Sequence, residues 1–222
     1  ARPPGDSPRP TRRATGWRPW ISFVIPGYVH FTDTTPRDFT QSNSGNRFRL
    51  AEDRLIGPYL DNVGYFSIEN GGGAHFHVAM MANMTYPFTE AREWNSFAPK
   101  TLKQLLVRST NVLGYTPQPR NLMCKTGEMI CDYYQVVRCF DFLNHVENMR
   151  PIAEVVMSRK DVIFQPALSM SWAKGFDVAH YLTSPKQFCA WWATSWAWTP
   201  RRLHAISSWG SRIWAASARR AS

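Results

Sequence analysis

The sequence predicts an α/β fold built on a parallel sheet with crossover helices. Three observations carry this. Short β-branched or apolar runs alternate with stretches of helical period, and the connections between them are short. Polar and charged residues (Asp33, Arg37, Asp38, Glu69, Arg108, Asp141) stand at the carboxyl ends of the predicted strands. A closed barrel and an open doubly wound sheet both place ligand groups at that end, so the pattern alone leaves both open.

The elements follow in order. Order is expected from about Trp20. Val29–Thr35 is β-branched and alternating and reads as a first strand. Leu50, Leu55, Ile56 and Leu60 have helical spacing across Leu50–Leu60. Tyr65–Ile68 reads as a short buried strand, followed by Gly71, Gly72 and Gly73, and a helix is expected over Phe76–Met84. Leu102–Val107, Val136–Phe140 and Val162–Met170 read as the next strands. Asn121–Tyr134, Val146–Met157 and a segment from Val178 to Phe188 read as helices. Pro151 would kink the second of these or mark its true start.

At 222 residues and 44% hydrophobic, the chain can bury a core. No apolar run is long enough to cross a membrane. The Pro/Arg-rich opening lacks the apolar stretch of a secretory signal. The chain does not begin with Met, which leaves its true start open. The net charge is +10, but residues 1–19 hold five Arg and one Asp, and residues 189–222 hold five Arg and no acid. The middle carries only +1, so nucleic acid is not the expected partner. Cys124, Cys131, Cys139 and Cys189 form no CxxC pair, and free thiols in a reducing, cytoplasmic setting are expected.

The stretch DTTPRDFTQS, Asp33 to Ser42, carries the chemistry. Asp38 is a hard carboxylate suited to a divalent cation, Arg37 could stabilise an oxyanion beside it, and Gln41 could donate to a carbonyl. An ordinary surface ion pair would look the same. His75 and His77 would share one side of a strand and could bind metal, or else mark a strand-to-helix turn. The Gly71–Gly73 run lacks phosphate-loop spacing and is expected to serve close packing. Asp141 and Asn144 would line the cavity or cap a helix, and Met80, Met81 and Met84 are expected in the core.

DTTPRDFTQS resembles the first-strand signature of the carboxyltransferase domain of biotin-dependent enzymes, a family that includes pyruvate carboxylase, the oxaloacetate decarboxylase α subunit and transcarboxylase. GYFSIENGGGAHFHVAMM (Gly64–Met81), KQLLVRSTNVLGY (Lys103–Tyr115) and VVRCFDFLNHVENMRP (Val136–Pro151) resemble its second-, third- and fourth-strand blocks, in order. The resemblance spans roughly residues 22–188. It implies a (β/α)8 TIM barrel of the metal-dependent carboxyltransferase/lyase superfamily with about five of eight β/α units present. The chain would then divide into a basic tail 1–19, a barrel portion 20–188 and a Trp/Arg-rich tail 189–222. The implied activity moves a carboxyl group between carboxybiotin and a keto acid such as pyruvate or oxaloacetate, through a metal-stabilised enolate. Carried over residue by residue, Asp38 is the metal ligand (zinc, manganese or cobalt) and Arg37 flanks the metal. Gln41 and Arg108 contact the keto acid. Tyr115 lies at the biotin pocket, with His77 where the carboxylases usually have Asp, and Gly71 replaces the usual aromatic. Biotin would arrive on a carrier domain or subunit, and an intact family member is expected to be oligomeric. A metal-dependent aldolase or condensing enzyme of the same superfamily, or a non-catalytic fragment, is the alternative.

From Cys189 onward the chain holds six of its ten Trp, and the family's sixth-strand block L-K-D-M-A-G, whose lysine is carbamylated and binds the metal, does not occur. Back-translated with permitted synonymous codons and read two bases later, this tail yields an amphipathic helix followed by L-K-D-M. A shift of reading frame between about Lys186 and Cys189 is therefore expected. So is inactivity of the chain as written, which lacks that lysine and the family's later His-x-His metal pair.

Overall fold

The computed structural model describes residues 30–159, 161–171 and 174–195. The expectations for residues 1–19, for the start of order at Trp20 and for residues 196–222 lie outside the described residues. The described residues form five strands, β1 (Thr32–Asp33), β2 (Ser67–Gly72), β3 (Leu102–Arg108), β4 (Val136–Asp141) and β5 (Ile163–Leu168). Every neighbouring pair is parallel and the spatial order is β1-β2-β3-β4-β5. Sequential order without a reversal is the topology of a barrel wall, and it lacks the switch point of a doubly wound sheet. The described part is a curled, five-stranded parallel half-barrel.

The helices are α1 (Thr40–Ser44), α2 (Leu50–Val63), α3 (Gly73–Met81), α4 (Pro87–Phe97), α5 (Arg120–Tyr133), α6 (Val146–Ser158) and α7 (Val178–Ser195). A wide, π-type turn at Thr35–Phe39 precedes α1. Pro58 and Pro151 lie inside α2 and α6, so Pro151 neither begins nor ends its helix. The sequence reading contains no counterpart of α4. Its composition is mostly polar, yet Phe88, Ala91 and Trp94 recur every three residues and are buried. None of the described helices is long and apolar enough to cross a membrane.

Strand alternation sorts side chains onto two faces. Outward, Leu105, Val107, Val137, Cys139 and Phe164 pack with Ile130, Met149, Ile152 and Val156 of α5 and α6 in one buried cluster. Inward, Ser67, Glu69, Gln104, Arg138 and Gln165 bond one another across the sheet. The β2–β3 register shifts between Glu69 and Gly71, so one extra residue is accommodated there. Cys124, Cys131 and Cys139 are free thiols, and burial pushes the Cys131 thiol up to about 12. Met80, Met81 and Met84 are exposed rather than core, because α3 buries His75, Phe76 and Ala79 instead.

Two buried carboxylates on this scaffold differ in what surrounds them. Asp141, at the end of β4, accepts from the Ser109 hydroxyl (2.5 Å), the Asn148 side chain (3.0 Å) and the backbone N–H groups of Leu143 and His145. Asn144, in a left-handed conformation, exchanges hydrogen bonds with Ser169 beyond β5. Both residues therefore tie strand ends together, which is the structural role and not the cavity-lining one. Burial raises the Asp141 pKa, but the bonds from Ser109, His145, Asn148 and Leu143 outweigh it and hold the carboxyl below its usual range.

Asp53 of α2 accepts from the Trp94 indole at 3.1 Å, beside a His75–Glu90 pair at 3.0 Å and a Thr85–Glu90 bond at 2.6 Å. Burial pushes the Asp53 carboxyl up to about 6, against the pull of the Trp94 bond and of His75.

The two shifts have opposite signs. A raised acid binds its proton more tightly in the fold, so Asp53 costs stability that grows as pH rises from about 4 through about 6. Asp53→Asn is expected to gain about 1–3 kcal/mol over the parent at pH 7.5, shrinking toward pH 4, in urea unfolding. A lowered acid contributes stability that is present above its ordinary pKa and lost as pH falls through the depressed value. Asp141→Asn is expected to cost about 2–4 kcal/mol at pH 7, and less below pH 3, by the same measurement.

Candidate active site

Arg37 lies in the π-type turn that follows β1, and its half-buried guanidinium is shared between two carboxylates. Its Nε and Nη2 donate to Glu69 Oε1 at 2.8 and 2.7 Å, and its Nη1 reaches Asp38 Oδ1 at 2.9 Å. Glu69 has 0% of its side chain exposed, whereas Asp38 has 58%. The two halves of the arrangement therefore differ in strength. The inner pair is desolvated and bonded through two donors, while the outer one is largely hydrated. Asp33, expected at the mouth, accepts from the backbone and hydroxyl of Thr35 and so shapes the turn.

Arg108 ends β3. Its Nη1 donates to the Gly114 carbonyl at 2.7 Å, and its guanidinium lies 4.6 Å from the centre of the Tyr115 ring. Tyr115 in turn meets the His77 ring edge-on at 5.0 Å. The loop that carries Tyr115 is pinned by bonds from Asn111 to the Tyr115 carbonyl and from Gly114 to the Asn111 carbonyl. In this loop Val112 is buried at φ 51°, a costly conformation for a β-branched residue.

Gly72 and Gly73 join the two groups. A Cβ on Gly72 would lie 3.4 Å from Arg37 Cδ, and one on Gly73 would lie 3.0 Å from Arg108 Nη1. A Cβ on Gly71, facing the other way, would strike Leu105 and the Tyr134 hydroxyl at 2.8 Å. The run serves close packing, as its sequence suggests, and its last two members lie against the Arg37 stem and the Arg108 guanidinium. A side chain larger than glycine has no room at position 71.

Of the six predicted site residues, Arg37 and Asp38 touch each other, and Arg108, Tyr115 and His77 form the second group. Gln41 lies exposed on α1, one turn beyond Asp38. The His75–His77 pair does not share a side. Both residues lie in α3, where a two-residue step turns about 200°, so His75 goes inward to Glu90 and His77 outward to Tyr115. Among the described residues no group of three or more His, Cys, Asp or Glu side chains could hold a metal. The described residues offer a divalent cation the Asp38 carboxylate and do not complete a site for it.

Sequence reasoning missed the inner shell of Gln104, Arg138 and Gln165, and placed Glu69 at a strand end. Glu69 stands within β2, which runs on to Gly72. It accepts from Gln104 Nε2 at 2.6 Å and pairs with Arg138 Nη1 at 3.1 Å, while Arg138 Nε donates to Gln165 at 2.8 Å. The available signal was a polar lane of period two inside otherwise apolar strands.

No family model matches the chain. Curated relatives do. Mitochondrial pyruvate carboxylase of Rattus norvegicus is 38% identical over 120 residues, 53% of this chain and 10% of the relative. The 2-oxoglutarate carboxylase large subunit of Hydrogenobacter thermophilus is 31% identical over 129 residues, 58% of this chain and 20% of the relative. A pyruvate carboxylase subunit of Methanothermobacter thermautotrophicus is 30% identical over 133 residues, 60% of this chain and 23% of the relative. The chain thus spans between a tenth and a quarter of the length of these relatives. Among solved structures, the carboxyl transferase domain from Rhizobium etli pyruvate carboxylase with oxamate and biotin superposes with a TM-score of 0.65. It is 28% identical, over 72% of this chain and 28% of that one. In sequence and in fold, the chain is a homologue of pyruvate carboxylase and its subunits, matching part of their carboxyl transferase domain.

Proposed function

We propose that this chain supplies the keto-acid side of a carboxyl transfer site, with residues 20–188 as the barrel portion and biotin delivered by a carrier domain or subunit. The observation that carries the reading is that Arg37 and Arg108 pack on the adjacent glycines Gly72 and Gly73 at the carboxyl end of the strands, Arg37 through its stem and Arg108 through its guanidinium. A keto acid of the pyruvate or oxaloacetate type presents a carboxylate and a carbonyl oxygen that becomes negative as the enolate forms. Arg108 offers a planar fork to the carboxylate. Arg37, fixed from behind, puts positive charge beside the enolate oxygen, and Gln41 donates to the carbonyl from α1. Tyr115, backed by Arg108 and flanked by His77, gives a flat surface on which the ureido ring of biotin could pack. Asp38 is the proposed ligand for a divalent cation (zinc, manganese or cobalt), and such an ion would supply Lewis-acid polarisation of the keto oxygen. Inactivity of the chain as written belongs to the same proposal, and a carboxyl-exchange assay with a biotinylated carrier tests it.

The binding half is tested with oxamate, a keto-acid analogue, by titration calorimetry on the full chain. Saturable binding that pyruvate competes away is expected. Arg108→Ala should weaken it about 10- to 100-fold, about 1.5–3 kcal/mol, and Arg108→Lys should recover only part because the fork is lost. A parent chain that binds neither oxamate nor pyruvate overturns the reading.

A further inference from the structure

We propose that Glu69 is a positioning residue that fixes the Arg37 guanidinium from inside the half-barrel, with Arg138 and Gln104 as the counter-groups that hold Glu69 itself. The functional consequence rests on the keto-acid reading above, and the positional part rests on geometry alone.

The geometry is asymmetric. One edge of Arg37, Nε and Nη2, is committed to Glu69 Oε1. The other oxygen, Oε2, is taken by Gln104 Nε2 and Arg138 Nη1. Four donors thus saturate a carboxylate with no solvent contact, which leaves it one arrangement. The counter-groups are fixed in turn. Gln165 accepts from Arg138 Nε, Ser67 donates to the Gln104 carbonyl at 3.1 Å, and the Thr32 and Ser67 hydroxyls bond at 2.8 Å. Every strand from β1 to β5 contributes to this chain of bonds. Its outcome at the mouth is that Arg37 turns Nη1, the nitrogen not bonded to Glu69, toward Asp38, while its Cγ–Cδ stem lies against Gly72.

Charge points the same way. Two guanidinium groups share the one buried carboxylate, and the second positive charge is balanced only by the exposed Asp38. Neutralising Glu69 without changing Arg138 would take from Arg138 its bond to this carboxylate and leave Arg37 with the exposed Asp38 alone. A loss of activity in Glu69→Gln alone could then be a loss of fold. The double variant Glu69→Gln/Arg138→Met removes one charge of each sign. It separates charge balance from positioning, because only the second role concerns Arg37.

The test follows the Arg37 Nε–H by ¹⁵N NMR hydrogen exchange on the full chain, assigned with Arg37→Lys, alongside oxamate affinity. Arg37 Nε–H is expected to be protected in the parent and in Arg138→Met. In Glu69→Gln/Arg138→Met its exchange should speed by at least about 10-fold, and oxamate binding should weaken by about 10-fold, the size of one lost charge-assisted hydrogen bond. A folded double variant with parental protection of Arg37 and parental oxamate affinity overturns the proposal. So does a double variant whose losses at Arg37 and in oxamate affinity are no larger than those of Arg138→Met alone. A parent that binds no oxamate removes the keto-acid reading, while exchange at Arg37 that depends on Glu69 still upholds the positioning.

Discussion

A carboxylate with no water contact sets the terms for the rest of this molecule. Glu69 is buried inside the half-barrel, where Arg37, Arg138 and Gln104 meet it from three different elements and supply the bonds that water would otherwise make. Those partners constrain the sheet. A one-residue slip of β2 would turn Glu69 outward into the apolar layer around Leu105 and Tyr134 and bring Ile68 in among the polar groups. The register shift after Glu69 serves the same end. With one extra residue accommodated at Asn70, Glu69 faces the interior, Gly71 packs against Leu105 and Gly72 comes under Arg37. Register, bulge and glycine run are thus one solution to one electrostatic problem.

The second constraint is at the carboxyl ends of the strands. The loop after β3 holds Val112 at a positive φ, and that conformation persists because Arg108, Asn111 and Gly114 bind the loop on several sides. The same loop brings Tyr115 over the Arg108 guanidinium. Asp141, with its bonds to Ser109 after β3 and to the turn after β4, locks the neighbouring strand ends. Rigidity at this end comes from buried polar bonds, whereas the opposite face of the sheet is held by apolar packing against α5 and α6.

Much of this was legible in the sequence, and the failures share a cause. Strand and helix alternation predicted the parallel sheet, and the four motif blocks pointed to the homologues that the comparisons found. Hydrophobic periodicity, however, finds only segments that bury an apolar stripe. Helix α4 escaped because three buried apolar residues sit among polar ones. Arg138, Gln104 and Gln165 escaped because inward polar residues look like surface residues until their partners are known. His75 and His77 depended on whether two residues apart means the same side or the opposite side, and only the helix start at Gly73 settles that. Met80 and Met81 fall on the exposed side of α3, whose buried side is taken by His75, Phe76 and Ala79, and Met84 lies exposed beyond the end of that helix.

The two partners of Arg37 also show how a tightly built interior would serve the proposed site at the mouth. The bond to Glu69 is dry and made through two donors, so it outlasts any event at the surface. The bond to Asp38 is exposed, and pairs of that kind are worth about 1 kcal/mol or less. An anion approaching Arg37, or a cation approaching Asp38, therefore breaks only the weak half of the arrangement. Arg37 need not be reoriented when the outer pair opens, because its plane is already set from below. Asp38 is released at low cost at the same moment. A site held strongly on one side and weakly on the other meets its ligand with the direction fixed and the position vacant, which is how a polar site avoids reorganising when charge develops in it.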